Sequence, residues 1–224
     1  MKPISAWHII SYPRSGNHLV RGIVEAYSKR PTEGCFGIKT DPPIYQNKAN
    51  KDGIISIKSD VAIGYKAHLL REIHARDLLY GRSNLGMILI TRNPADAIAS
   101  QCVRILSQKR ERLFLTKRKK RILVQNEIDS YLALLFRFAS HKKEMKVHLK
   151  YESLISPETS KQTIVELLSV LNVELTGPPI EKVLQITKSS KVLIGSKFPV
   201  LKDEIRTEVQ SQLSYSDVLS YITS

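Results

Sequence analysis

The chain has 224 residues, of which 42% are hydrophobic and 25% charged, and 35 lysines and arginines against 21 aspartates and glutamates give a formal net charge of +14. This balance predicts one folded domain over residues 1–224, and the charge predicts an anionic ligand or partner, or a strongly solvated surface. Two cysteines are too few for a disulfide framework or a multi-cysteine zinc site, and neither a membrane-spanning run nor a signal peptide is recognisable, so we expect a cytoplasmic protein with reduced thiols.

Short apolar runs of β-forming residues alternate with amphipathic helical patterns along the chain. Strands are predicted at 7–12, 61–66, 85–91 and 146–151. Helices are predicted at 16–30, 71–80, from Pro94 onward, and at 126–142, 157–171, 179–188 and 203–213. Residues 31–60 are rich in glycine and proline and predict a long irregular segment. This alternation favours an α/β fold with three α/β/α layers and a central parallel sheet.

The turn between the first strand and the first helix has the composition of an anion site. Its sequence is Ser11-Tyr-Pro-Arg-Ser-Gly-Asn-His18. Gly16 lets the backbone approach a ligand, Ser15 adds a hydroxyl, and Arg14 adds a bidentate cation at the positive end of a helix. The spacing is not that of a Walker A loop, so ATP hydrolysis is not expected. The alternative is an ordinary strand-to-helix turn with a surface arginine.

A second candidate anion site follows the strand at 85–91, in the segment Arg92-Asn-Pro-Ala-Asp-Ala-Ile-Ala-Ser100. Asn93 suits a helix N-cap, Pro94 the first helical position and Asp96 the capping-box position. Ser100 lies about two helical turns after the cap and returns to its face, so Arg92 and Ser100 are predicted to hold one phosphate together. A well-capped helix explains the first three residues but leaves the pairing of Arg92 with Ser100 unexplained.

Together, these two segments resemble a known enzyme family. Pro13-Arg-Ser-Gly16 is similar to the 5′-phosphosulfate loop, and the segment 92–100 to the 3′-phosphate motif RNPxDxxxS, of sulfotransferases that use 3′-phosphoadenosine 5′-phosphosulfate (PAPS). The resemblance spans about residues 7–154, with a weaker match to about 195. It implies a P-loop NTPase-like sulfotransferase fold and transfer of a sulfuryl group from PAPS to a hydroxyl or amine, with adenosine 3′,5′-bisphosphate (PAP) as product and no metal. The cofactor-binding residues it implies are Arg14, Ser15, Gly16, Asn17, His18, Arg92, Ser100, Tyr151 and Lys191.

Two of these assignments depend on weaker matches. Tyr151 ends a strand that resembles the family's strand beside the adenine. Lys191 lies in a segment that resembles the family's RKGxxG phosphate loop but lacks its arginine and first glycine. Leu19 stands where an adenine-stacking tryptophan is common, and Asn17 and His18 replace a pair of threonines.

The segment Gly64-Tyr-Lys-Ala-His-Leu69 resembles the family's K-T-H-L element, whose histidine is the catalytic base. The resemblance implies that His68 is the general base and that Lys66 contacts the sulfuryl group; strand alternation puts both on the same side. Arg14 would act electrostatically, because a guanidinium does not shuttle protons. His18 is a competing candidate for the base.

The acceptor is left open, as is the oligomeric state. Eight of the thirteen residues 109–121 are basic. This run is either a solvated helix face or loop, or a surface that recruits an anionic acceptor such as an acidic glycan; small-molecule hydroxyl acceptors are equally compatible with the family. The alternative functions are a non-catalytic polyanion- or nucleic-acid-binding module on the same fold and a small-molecule P-loop kinase. Aromatic residues make up only 7% of the chain, so nucleic acid is not the expected partner.

Overall fold

The computed structural model describes residues 6–34, 44, 55–56, 58–59, 61–68, 85–108, 116–141, 145–189, 199–214 and 218. The strands in these ranges are β1 (Ala6–Ser11), β2 (Thr32–Glu33), β3 (Gly64–Ala67), β4 (Leu85–Thr91) and β5 (Lys146–Lys150). The helices are α1 (Asn17–Ser28), α2 (Pro94–Gln108), α3 (Lys117–Ser140), α4 (Tyr151–Ile155), α5 (Ser160–Val170), α6 (Ile180–Ser189) and α7 (Pro199–Gln210).

The strands form one parallel sheet in the order β2-β3-β1-β4-β5. β1 lies between β3 and β4, and its Ile9 is in register with Lys66 on one side and Ile88 on the other. Every residue of β1 and β4 is buried, as expected for the central strands of a parallel sheet. The α/β fold and the central parallel sheet are therefore confirmed.

The described residues pack as two compact units. The first comprises those within 1–11, 16–90 and 142–191, and the second those within 12–15, 91–141 and 192–224. In the first unit, α1 packs against α6 over an apolar core that continues into the sheet. In the second unit, α2 packs against both α3 and α7, and Arg206 of α7 forms a salt bridge of 2.6 Å with Asp96 of α2. The assignment of residues 1–224 to a single domain stays a prediction.

Several elements differ from the sequence-based predictions. α3 begins at Lys117 rather than at residue 126, and Thr116 caps it by accepting a hydrogen bond from the backbone N–H of Lys119. The predicted irregular segment contains β2, whose two residues pair with β3. α7 begins at Pro199 rather than at residue 203, with proline in the first helical position. The predicted helix at 71–80 lies outside the described residues.

None of the helices described in these ranges is both long and apolar enough to cross a membrane.

Candidate functional site

A tight turn follows β1 and contains an arginine in an unusual backbone conformation. Pro13 and Arg14 occupy its central positions, and the N–H of Ser15 donates to the carbonyl oxygen of Tyr12 at 3.2 Å. Arg14 has φ 71° and Gly16 has φ 93°. A side-chain-bearing residue in the left-handed region costs about 1–2 kcal/mol, and such strain concentrates at functional sites. The strained position is the one at which the sequence predicts a cation for the phosphosulfate.

Arg14 and Arg92, the arginines of the two predicted phosphate motifs, lie together in the second unit. Nη1 of Arg92 donates a hydrogen bond to the carbonyl oxygen of Arg14 at 3.1 Å. Burial lowers the pKa of Arg14, and the charges of Arg104 and then of Arg92 lower it further. Three guanidiniums therefore share this region, which favours a ligand with more than one negative charge. Arg104 is not among the residues that the sequence motifs single out.

Two buried tyrosines connect α3 to the turn after β1 and to the backbone of Arg92. The hydroxyl of Tyr131, on α3, donates to the carbonyl oxygen of Arg92 at 2.8 Å. Its ring packs on that of Tyr12, with centroids 5.1 Å apart and planes inclined by 58°, and the Tyr12 hydroxyl donates to the carboxylate of Glu127, also on α3. Burial and then Glu127 raise the pKa of Tyr12, so it stays a neutral donor. α3 thus braces the turn after β1 against the start of α2.

The residues around the start of α1 leave hydrogen-bonding groups to which a phosphate could bind. In α1, all of which is described, the N-cap residue is Gly16, which has no side chain to cap the helix, and the first turn contains no acidic residue. The first N–H groups of such a helix are an anion site. The preceding Ser15 is fully buried, and its hydroxyl has no hydrogen-bond partner in the described part of the chain. The hydroxyl of Ser15, in the second unit, and the N–H groups that begin α1, in the first, are each of a kind that binds phosphate or sulfate oxygens.

Asn17 and Tyr151 fix the start of α1 within the first unit. Nδ2 of Asn17 donates to the carbonyl oxygen of Ile9 at 3.0 Å and to Oγ of Ser11 at 3.2 Å, which ties the start of α1 to β1. The ring of Tyr151, the first residue of α4, lies on Gly16, where an added Cβ would be 2.4 Å from Cδ2 of that ring. Glycine is therefore required at position 16 by both its φ and its neighbour.

His68, the predicted base, follows β3 and is anchored to the end of β1. Its Nδ1 is hydrogen-bonded to the carbonyl oxygen of Ser11. Because a carbonyl only accepts, Nδ1 carries the proton of the neutral ring, and Nε2 is the nitrogen that takes up a proton. Lys66 and His68 are half-buried and Ala67 between them is fully buried, as expected if the two polar residues face one side. The competing base, His18, is half-buried in the first turn of α1.

The structure divides the predicted site residues between the two units. Arg14, Ser15, Arg92 and Ser100 belong to the second unit; Gly16, Asn17, His18, Lys66, His68 and Tyr151 belong to the first; Lys191 lies outside the described residues. Their roles toward a nucleotide or acceptor stay predictions. Across the ranges described here, no group of three or more His, Cys, Asp or Glu side chains is arranged to hold a metal ion.

Sequence comparison identifies no relative: neither a protein-family model nor a curated protein matches the chain. Among solved structures, the fold is similar to that of mouse sulfotransferase SULT7A1 complexed with PAP, with a TM-score of 0.50 and 15% sequence identity. The match covers 84% of this chain and 64% of that one, so this chain spans less than two thirds of the SULT7A1 structure. At this identity the likeness concerns the fold, and the chain therefore has the α/β fold of the sulfotransferases.

Proposed function

We propose that this chain is a PAPS-dependent sulfotransferase, which transfers the sulfuryl group of PAPS to a hydroxyl or amine of an acceptor and releases PAP. The observation that carries the proposal is the hydrogen bond of 3.1 Å between Arg92 and the backbone of Arg14. It joins two loops whose sequences resemble the 5′ and 3′ phosphate motifs of that family. PAP carries a phosphate at each of those positions, and one arginine for each gives charge complementarity.

In this proposal, each phosphate end of the donor has its own residues. Arg14, the hydroxyl of Ser15 and the N–H groups of Gly16, Asn17 and His18 hold the 5′-phosphosulfate. Arg92 and Ser100 hold the 3′-phosphate, while Tyr151 and Lys191 make further contacts with the nucleotide. The strained backbone of Arg14 and the buried hydroxyl of Ser15 support the first assignment, because backbone strain of this kind concentrates at functional sites and a ligand would give the hydroxyl a hydrogen-bond partner.

Catalysis then requires a base and cations near the transferred group. Nε2 of His68 takes the acceptor proton as the new sulfur–oxygen or sulfur–nitrogen bond forms and the bond from sulfur to the leaving phosphate oxygen breaks. The hydrogen bond from Nδ1 to Ser11 fixes the tautomer that this role needs. Lys66 and Arg14 stabilise the charge that develops on the sulfuryl group and on the departing PAP.

The test has a binding arm and a transfer arm. PAP should raise the melting temperature, whereas an oligonucleotide or magnesium-ATP at equal concentration should not. Stabilisation by the oligonucleotide alone would favour the polyanion-binding module, and stabilisation by magnesium-ATP alone the kinase. In the transfer arm, radioactive sulfate from PAPS is followed onto a panel of hydroxylated small molecules and glycans, and no transfer to any of them would count against an enzyme.

Variants of the two histidines identify the base. His68→Ala should lower turnover by about 10²-fold or more while PAP affinity stays near that of the wild type. His18→Ala is the matched control, since it removes the other candidate imidazole. Near-normal turnover in His68→Ala together with a large loss in His18→Ala would move the base to His18.

For the acceptor we propose an anionic molecule that binds the basic N-terminal end of α3, formed by residues 117–121. Four of these five side chains are exposed, and only Lys120 is half-buried, in a salt bridge of 3.0 Å with Glu204. Cations at a helix N-terminus oppose the helix dipole at about 0.3–1 kcal/mol each, which a bound polyanion would offset. Replacing Arg118, Lys119 and Arg121 with glutamine should weaken acceptor affinity and flatten its salt dependence; an unchanged affinity would mean that this end of α3 is only solvated.

A further inference from the structure

Arg104 occupies a position on α2 that the phosphate motifs do not include. It lies four residues after Ser100, and residues at this spacing on a helix are neighbours on one face, with Cβ atoms about 5–6 Å apart. Ser100 is half-buried and Arg104 is exposed at the outer end of that face. Ser100 and Arg104 therefore lie on the same face of α2, one turn apart.

The charge of Arg104 also acts on the phosphate-binding turn. Among the charges that lower the pKa of Arg14, that of Arg104 has the larger effect, ahead of that of Arg92. Arg92 itself is hydrogen-bonded to the backbone of Arg14. Two nearby carboxylates are engaged elsewhere: Asp96 with Arg206 at 2.6 Å, and Glu127 with the hydroxyl of Tyr12. The charges of Arg92 and Arg104 thus both oppose that of Arg14 in the second unit, and a multivalent anion would relieve this repulsion.

We propose that Arg104 is a third guanidinium of the nucleotide site, that it binds the 3′-phosphate together with Ser100 and Arg92, and that it sets the preference for nucleotides carrying this phosphate. The inference rests on the proposed function. A phosphate monoester carries about −1.5 to −2 charge at neutral pH, so one arginine for each end leaves PAP incompletely neutralised.

The experiment measures the affinities of PAP and of adenosine 5′-monophosphate by calorimetry at one fixed salt concentration. Arg104→Ala should weaken PAP binding about tenfold or more, because it removes a charge-assisted contact, and should change the affinity for the monophosphate less than about threefold. Arg104→Lys, which keeps the charge but loses the bidentate geometry, should give an intermediate loss for PAP. Arg137→Ala, an exposed arginine near the C-terminal end of α3, is the matched control and should affect both ligands equally and weakly.

The outcomes separate this inference from the function beneath it. If the wild type does not bind PAP, the proposed function fails and Arg104 has no such role. If the wild type binds PAP and Arg104→Ala keeps the wild-type ratio of the two affinities, the role of Arg104 is refuted while the function stands. Equal losses for both ligands in Arg104→Ala would likewise refute a 3′-specific contact. Because Arg104 is exposed, the variants should melt within about 2 °C of the wild type, which confirms that they are folded.

Discussion

Replacing Arg14 separates the stability of the turn from its binding function. Arg14→Gly and Arg14→Ala both delete the guanidinium, but only glycine adopts φ 71° without strain. The left-handed conformation costs a side-chain-bearing residue about 1–2 kcal/mol, and the greater unfolded-state entropy of glycine offsets about 0.5–1 kcal/mol of the gain. We therefore expect Arg14→Gly to be more stable than Arg14→Ala by about 0.75 kcal/mol, the midpoint of a range of about 0–1.5 kcal/mol.

Binding should not distinguish the two variants. In a chain of this size, each kcal/mol of added unfolding free energy raises the melting temperature by about 2–4 °C. Scanning calorimetry should therefore show a melting temperature about 1–4 °C higher for the glycine variant than for the alanine variant. Both should lose PAP affinity about 10- to 150-fold, because each lacks the same charge-assisted contacts. Equal melting temperatures would refute the strain, and wild-type PAP affinity in either variant would refute the role of Arg14 in the nucleotide site.

Three further predictions use other parts of the structure. Gly16→Ala places a side chain at a strained φ of 93°, with its Cβ 2.4 Å from the ring of Tyr151, and should lower the melting temperature by several degrees. Gly177→Ala, whose Cβ would be 3.1 Å from its nearest neighbour, should lower the melting temperature less. A larger loss in Gly177→Ala than in Gly16→Ala would contradict the packing. Tyr131→Phe removes the hydrogen bond to the Arg92 carbonyl and should cost about 0.5–1.5 kcal/mol in urea unfolding and also weaken PAP binding. Tyr27→Phe, which loses a hydrogen bond of the same 2.8 Å length, should affect stability alone. Burial and then Lys150 lower the pKa of His148 to about 4, below its unfolded value near 6.5. The contribution of His148 to stability should therefore be complete above about pH 6.5 and be lost as the pH falls toward 4. In urea unfolding, His148→Gln should flatten the dependence of stability on pH in this range, and the same dependence in the variant and the wild type would contradict the prediction.

The local parts of the fold were predictable because their causes are local. The strand at 85–91 is an uninterrupted apolar run, and all seven of its residues are buried as predicted. The helix that follows begins at Pro94, and Oδ1 of Asn93 accepts the backbone N–H groups of Ala95 and Asp96, as its N-cap position requires. Capping and burial of a central strand depend on neighbouring residues, which a sequence pattern records directly.

The contacts by which α3 connects the two phosphate motifs were not predictable in the same way. Tyr12 is adjacent to the first motif in sequence, but its partners Glu127 and Tyr131 lie more than a hundred residues away on a helix with no recognisable motif. The N-terminal third of that helix was missed because a run of basic residues has no apolar periodicity, although Thr116 caps it. Arg104 had a usable signal, its spacing of one turn from Ser100, but no pattern indicates which side of α2 faces Arg14.

The central claim, that Arg14 and Arg92 hold one nucleotide together, is tested most directly by a calorimetric double-mutant cycle on PAP affinity. The wild type should bind PAP, Arg14→Ala and Arg92→Ala should each lose about tenfold or more, and the double variant should lose less than the product of the two, because neighbouring side chains that hold one ligand are coupled. A wild type that does not bind PAP, or two single variants that bind it as tightly as the wild type, would contradict the claim.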